Sequence, residues 1–303
     1  MTLPGPFGTP SRLTAAVLAV AAVLAVALLG AGLAQTGTGE LRIPAAGTTT
    51  LLRLLVLTGL AVHVGELAGS RIAGPAGPLP RRWSAPAALL AAAASAALLL
   101  LLAAVSGLSL PVVYGLREGR LLLVTANAFA LAALCAASRR PALAALPLAV
   151  ALGAEALRAH PETPGFGIGT GLTLVHLTAA SLWCGTLLYV LRTLRLRAGG
   201  REVLLRYARM AACVYGALAV TGTVSTLRRL PLDAVLATAY GRVLIVKLLL
   251  FAGASLMALA ARSRLLNGGD PEPPARTELG VLGAVMVISA LLTVVPDPHW
   301  LTP

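Results

Sequence analysis

The sequence predicts an all-α protein, a polytopic transmembrane bundle of about nine helices. Of its 303 residues, 58% are hydrophobic and 12% are charged, and the mean hydropathy is +0.87. Soluble domains carry about 25% charged residues. The apolar residues form runs of ~20, the length of a helix that crosses the hydrocarbon core of a bilayer. Polar residues are confined mostly to short connections, so we expect no soluble domain.

The net charge of +13 does not indicate a nucleic-acid-binding protein. The 24 basic residues are scattered between apolar runs, whereas nucleic-acid recognition needs a basic face on a folded, water-exposed surface. Three cysteines, Cys135, Cys184 and Cys213, all fall within apolar segments. They therefore predict neither a disulfide framework nor a zinc motif.

Nine segments are long and apolar enough to span a bilayer. The first has an alternative reading as a cleaved signal peptide, because Gly32-Leu33-Ala34 resembles a cleavage site. Its apolar stretch exceeds the usual length of about 7–15 residues, which favours a retained helix, and cleavage would leave eight. The expected segments are residues 13–34, 48–70, 84–106, 120–137, 141–158, 170–191, 204–226, 240–261 and 278–296.

Arginines predict the orientation of the bundle. They are concentrated in the connections after the second, fourth, sixth and eighth segments, and cytoplasmic loops carry the excess of basic residues. We therefore expect the N-terminus inside and the C-terminus outside. The longest polar connection, Arg262 to Arg276, contains three prolines and Asn267-Gly268-Gly269-Asp270, which predicts a disordered cytoplasmic linker.

Ionisable side chains inside a membrane are costly, and each is a candidate functional residue. Softer metal ligands in the same segments, and histidines in the outer loops, extend the set of candidates. The candidates are Arg53, His63, Glu66, Glu155, His176, Lys247, Cys184, Met210, Cys213, His160 and His299.

Two histidines and a glutamate are expected near the outer face. At ~1.5 Å per residue, His176 lies roughly 9 Å below the outer end of the sixth segment. His160 falls in the loop before that segment, and Glu155 precedes it. Two nitrogens and one oxygen form a donor set that suits Cu(II) or Zn(II). The alternative is that His160 is a solvated loop residue and that His176 hydrogen-bonds a neighbouring helix.

A second, inner metal site is conceivable. His63 and Glu66 share one face of the second segment at i and i+3. Cys184 lies on the sixth segment, and Met210 and Cys213 lie on the seventh. Thiolate and thioether donors favour Cu(I), but cysteine and methionine also serve as ordinary apolar filling.

Haem is not expected, because His63 lies roughly 22 Å below the outer face and so cannot oppose His176 across one iron. Lys247 is the only lysine in the chain. It is interpreted either as a counter-charge to Glu155 or Asp233 or as a side chain that snorkels to the surface.

Four motifs follow one another in the second half of the chain. They are Leu174–Gly185, with His176 and Trp183-Cys184-Gly185; Arg206–Arg209, before a helix with Thr221-Gly222; Thr238–Lys247, with Tyr240-Gly241-Arg242; and Arg276–Leu279, which opens a last helix. In order and spacing, the stretch from His160 to Leu292 resembles the copper resistance D (CopD) family of bacterial inner-membrane proteins.

This resemblance implies a copper transport or copper-tolerance protein, not an enzyme, that takes copper ions from the extracytoplasmic side. It implies a separate CopC-type copper-binding protein as a partner. It also places His160 and His176 where the family carries histidines, and Arg242 and Lys247 as supporting charges. The implied division is an N-terminal helical half, residues 1–158, and a CopD-like domain, residues 159–303.

Two other functions stay open at this point. One is a membrane redox protein, either a b-type cytochrome or a quinone-linked reductase. The other is an assembly factor that supplies copper to another protein without moving it across the bilayer. Both the transporter and the assembly factor need an outward-facing metal site, so the sequence does not separate them.

Overall fold

The computed structural model describes residues 12–74, 77–160, 167–196, 200–231 and 235–296. These residues form ten α-helices and a single 3-10 turn, Pro141–Ala144. The helices are α1 (Arg12–Ala34), α2 (Ala46–Ala73), α3 (Ser84–Ser106), α4 (Leu110–Gly115), α5 (Arg117–Ala137), α6 (Ala145–Arg158), α7 (Ile168–Leu194), α8 (Arg201–Arg229), α9 (Ala239–Leu266) and α10 (Glu272–Leu292).

Nine segments of the described chain are long and apolar enough to cross a membrane, which confirms the predicted all-α polytopic bundle. α4 was not expected from the sequence. It is a short helix between the third and fourth spans, with Pro111 in its first turn. Proline is well tolerated there because the N–H that it lacks has no partner within the helix.

The predicted disordered linker from Arg262 to Arg276 is wrong. α9 continues to Leu266, and α10 begins at Glu272 after a short turn. The two prolines after Glu272 occupy the first turn of α10, the one helical position that proline tolerates. Glu278 consequently lies inside α10 rather than at its start, and its side chain is buried.

α2 is the central helix of the bundle, and it packs mainly against α7 and α3. On one side, α2, α3, α5 and α6 share an apolar core that includes Leu60 and Phe129. On the other side, α7 to α10 form a second core around Trp183 and Leu187. Among the nine spans, α1, α8 and α9 bury the smallest share of their residues, as expected of helices that face lipid.

A glycine seam, Gly65 of α2 and Gly185 of α7, lets these two helices approach closely. A Cβ atom on Gly185 would fall on the carbonyl oxygen of Ala61, and a Cβ atom on Gly65 would fall on the backbone of Gly185. Small residues permit such backbone approach between membrane helices. The seam therefore fixes the N-terminal half of the bundle against α7.

The helix connections lie at two opposite ends of the bundle. At the His160 end, Arg117 at the start of α5 donates to the carbonyl oxygen of His160, at 3.2 Å. At the Glu66 end, Arg206 of α8 donates to the carbonyl oxygen of Ile72 in α2, at 3.4 Å. These contacts place the predicted outer residues at the first end and most of the predicted inner ones towards the second.

Candidate functional site

Four charged side chains form a network at the His160 end, with Arg158 and Glu155 buried and Glu118 40% exposed. Arg158 Nη1 lies 3.0 Å from Glu118 Oε1, and Arg158 Nη2 also donates to Glu155. Arg53 lies 3.7 Å from a carboxylate oxygen of each glutamate. The side chain of Arg158 is 1% exposed. Two arginines therefore hold the carboxylate of Glu155, which sequence analysis assigned to a metal site.

His160 is buried rather than solvated. Its Nε2 lies 2.9 Å from the hydroxyl oxygen of Thr173 on α7, and its ring packs over Gly169, where a Cβ atom would lie 2.7 Å from the imidazole Cε1. The donated bond from Arg117 to its carbonyl oxygen fixes the backbone at the same point. His160 thus anchors the end of α6 to the first turns of α7.

His176 is half-buried and faces α8. Its Nδ1 lies 3.0 Å from Thr221 Oγ1, and that hydroxyl donates its single hydrogen to the carbonyl oxygen of Ala217, at 2.7 Å. In the tautomer with the proton on Nδ1, the imidazole donates to this hydroxyl and Nε2 keeps its lone pair. Nε2 has no hydrogen-bond partner among the described residues. A neutral imidazole held by one nitrogen in this way is the usual form of a histidine metal ligand.

The predicted outer donors are close along the chain but do not form a preformed three-ligand site. Thr173 and His176 are one turn apart on α7, so His160 and His176 approach the same end of that helix. Within the described ranges, no group of three or more His, Cys, Asp or Glu side chains is arranged to hold a metal ion. His299 lies outside the described residues.

The predicted inner donors occupy three different places. Glu66 accepts from the backbone N–H groups of Trp83 and Ser84, at 2.7 and 3.0 Å, and from Arg192, at 3.0 Å. It thereby satisfies free amides at the start of α3. His63, on the same helix as Glu66, is 1% exposed, and neither of its ring nitrogens has a hydrogen-bond partner in the described part of the chain.

The predicted sulfur ligands lie on α7 and α8. Cys184 and Met210 pack in the core between α7 and α8, whereas Cys213 is exposed on α8. The structure therefore brings Cys184 and Met210 into one core and leaves Cys213 on the lipid-facing side.

The two predicted supporting charges have different roles. Arg242 donates to the carbonyl oxygens of Thr36 and Ala34, at 2.8 and 3.3 Å, and so ties α9 to the end of α1. Lys247 makes no ion pair with any described residue, and Glu155 pairs with arginines instead. Asp233, the other predicted partner of Lys247, lies outside the described residues.

A buried carboxylate between α7, α8 and α10 was not among the residues predicted from the sequence. Glu278 is 2% exposed, and its Oε1 accepts from Trp183 Nε1, at 2.7 Å, and from the Tyr207 hydroxyl, at 3.3 Å. The signal was present in the sequence, since an ionisable residue inside a membrane helix is a functional candidate. It was overlooked because α10 was expected to start at Glu278 itself.

In the second half of the chain, the similarity to a known family extends over a continuous segment and not only over the short motifs. Residues 201–295 match the family model described as Copper resistance protein D. This confirms the predicted CopD resemblance over α8, α9 and α10, which carry Arg242 and Lys247. His160 and His176 precede the matched segment. No curated protein and no solved structure matches the chain.

The CopD match and the nine apolar spans together support a multi-pass membrane protein of copper resistance. His176, although outside the matched segment, is hydrogen-bonded to Thr221 inside it. The candidate site therefore lies where α7 meets α8, the first helix of the matched segment, residues 201–295, which we call the CopD segment.

Proposed function

We propose that this protein is a copper permease of the bacterial cytoplasmic membrane that takes copper ions from the extracytoplasmic side. The observation that most supports this is the lone pair that Nε2 of His176 keeps free while Nδ1 is bonded to Thr221 of α8, the first helix of the matched segment. Imidazole nitrogen is a suitable ligand for copper. Copper is the transported substrate in this proposal, and the protein is not an enzyme.

His160 and Glu155 complete the proposed entry site. His160 joins His176 by exchanging its bond to Thr173 for a bond to copper. Glu155 contributes Oε1, which has no hydrogen-bond partner among the described residues, while both arginines contact Oε2. A site that forms by exchange binds more weakly than a preformed one. Weak binding suits transport, since a permeating ion must also leave.

Lys247 supports the same interpretation. Its ammonium group lies within electrostatic reach of His176 and has no counter-ion among the described residues. A nearby positive charge lowers the affinity of any site for a metal cation. We propose that Lys247 favours release of copper towards the deeper, sulfur-containing part of the bundle, where Cys184 and Met210 lie.

Copper flux into proteoliposomes tests the proposal. We expect His176→Ala to lower the initial rate at least tenfold, because even outer-shell partners of metal ligands are worth about 10–100-fold in metal affinity. Val175→Ala is the matched control, since Val175 is the neighbouring residue on α7 and is 47% exposed. Flux at the wild-type rate in His176→Ala would contradict the proposal. Copper binding without flux in the wild type would favour the assembly-factor function instead.

The proposed direction requires the His160 end to face away from the cytoplasm. Reporter fusions after His160 and after Arg197 should report opposite sides of the membrane, with Arg197 inside, because basic connections remain cytoplasmic. Activity of the same compartment-specific reporter at both points would overturn this orientation. With the orientation as proposed, a separate CopC-type protein would deliver copper to the exposed end.

A further inference from the structure

A cavity of about 210 Å³ lies between α7, α8, α9 and α10, towards the Glu66 end of the bundle. Its walls include Trp183, Tyr207, Tyr215, Leu259 and Glu278. Among its described lining residues there is a single carboxyl group, that of Glu278, and no histidine or cysteine. One carboxylate is too few donors for a copper site. The lining of the cavity therefore suits a bound molecule other than copper.

The way into the cavity leads from the bilayer. α8 and α9 scarcely touch each other, and the lining residues Tyr215 and Leu259, on these two helices, are 41% and 63% exposed. Tyr215 lies near the middle of the 29-residue α8. A molecule that passes between α8 and α9 at this depth therefore comes from the hydrocarbon phase, not from water.

The polar end of the cavity is an oxygen of Glu278. Oε1 is occupied by the bonds from Trp183 and Tyr207, while Oε2 accepts no hydrogen bond from a described residue. A carboxylate oxygen accepts hydrogen bonds, and Glu278 lines the cavity, so Oε2 is available to a ligand there. A ligand that donates a hydroxyl hydrogen to Oε2 would satisfy it.

The aromatic wall of the cavity includes Trp183 and Tyr215, and the ring of Phe251 packs against both. The ring centroid of Tyr215 lies 5.9 Å from that of Trp183 in an edge-on arrangement, and 5.4 Å from that of Phe251 in a stacked one. Such walls favour a flat aromatic ligand. An apolar cavity of about 150 Å³ is enough for one benzene ring, so this cavity has room for a single substituted ring.

These features select among membrane-soluble molecules. A phosphate or fatty-acid head group would bring a negative charge against Glu278, while the cation among the described lining residues, Arg262, is exposed near the end of α9. An ammonium head group would bring three donors to one free acceptor oxygen and leave the others unsatisfied. A phenolic hydroxyl on a ring with an apolar tail matches the acceptor, the aromatic wall and the opening to lipid together.

We propose that the cavity is a binding site for an isoprenoid quinol, with its ring between the aromatic wall and Glu278 and its tail leaving between α8 and α9. The quinol hydroxyl donates to Glu278 Oε2. This site is independent of the copper entry site at the His160 end, and it is a binding site rather than a redox step.

Quenching of tryptophan fluorescence by decylubiquinol and decylubiquinone, under anaerobic conditions in quinone-free nanodiscs, tests this site. We expect saturable quenching by the quinol in the wild type. Glu278→Gln retains an oxygen for Trp183 and Tyr207 but presents an amide donor to the cavity, so quinol affinity should fall at least tenfold, the value of a hydrogen bond to a charged group. Affinity for the quinone, which offers only acceptors, should fall much less.

A second variant tests the cavity without altering the carboxylate. Ala258 lines the cavity, so Ala258→Phe should fill it and abolish saturable quenching. Ala252 is exposed on the same helix and is not a lining residue, so Ala252→Phe should bind like the wild type. Non-saturable quenching in the wild type, or equal quinol binding by Ala258→Phe and Ala252→Phe, would overturn the proposal.

Discussion

Replacing Gly185 with leucine should prevent α7 from packing on α2 and leave little folded protein. The Cβ atom would fall on the carbonyl oxygen of Ala61 and close to Cα of Gly65. These are backbone atoms, which cannot rotate away as the end of a side chain can. Overpacking of a core commonly costs about 1–3 kcal/mol, and a clash between two backbones should exceed that range.

The measurement is the yield of monodisperse protein in detergent and its thermal midpoint. Gly171→Leu is the matched control, because Gly171 lies on the same helix and nothing is within 4 Å of its Cβ position. We expect the control to behave like the wild type. Equal yield and equal midpoint for the two variants would mean that the glycine seam does not hold the helices together.

Replacing Arg158 with methionine should give the second large effect. The change keeps most of the side-chain volume but removes the cation that binds both Glu118 and Glu155. Arg53, 3.7 Å from each carboxylate, then remains as the partner of both. Removing one partner of a buried ion pair costs about 3–5 kcal/mol, because a buried charge is left unbalanced.

The same detergent melting experiment measures this loss, with Arg276→Met as the control. Arg276 and Glu272 form an exposed pair on α10, with side chains 53% and 32% exposed, and such a pair contributes about 0.3–0.5 kcal/mol. Adding Glu155→Gln to Arg158→Met removes one unbalanced charge. The thermal midpoint of the double variant should therefore be higher than that of Arg158→Met and lower than that of the wild type. If the Arg158→Met single variant melts at the same temperature as Arg276→Met or higher, the network does not stabilise the bundle.

The spans were predictable from the sequence because a bilayer imposes one strong rule, an apolar run of fixed length. Each helix satisfies its own backbone hydrogen bonds, so its presence does not depend on its neighbours. The start of α10 was misplaced because prolines were taken as a break, although the first helical turn accepts them. That error moved Glu278 from the interior of a helix to its edge.

The partners of the polar residues were not predictable in the same way. Spacing along one helix placed His63 beside Glu66, but the bonds of Glu66 run to α3 and Arg192. Likewise, Glu155 and His160 lie close in sequence, yet Glu155 is held by Arg158 of its own helix and by Arg53 of α2, whereas Thr173 of α7 holds His160. The partners of a polar side chain depend on which helices pack together. The hydropathy of a segment shows that it spans the membrane but does not show which helices are its neighbours.

The pairing of Glu66 with Arg192 also has a consequence for how the chain is made. The two residues are separated by 126 positions in the sequence. At about 5–20 residues per second, a ribosome takes roughly 6–25 s to cover that distance. During this interval Glu66 has the backbone N–H groups of Trp83 and Ser84 as partners but lacks Arg192. The Glu66 end of α2 therefore gains its last contact only after α7 has been made.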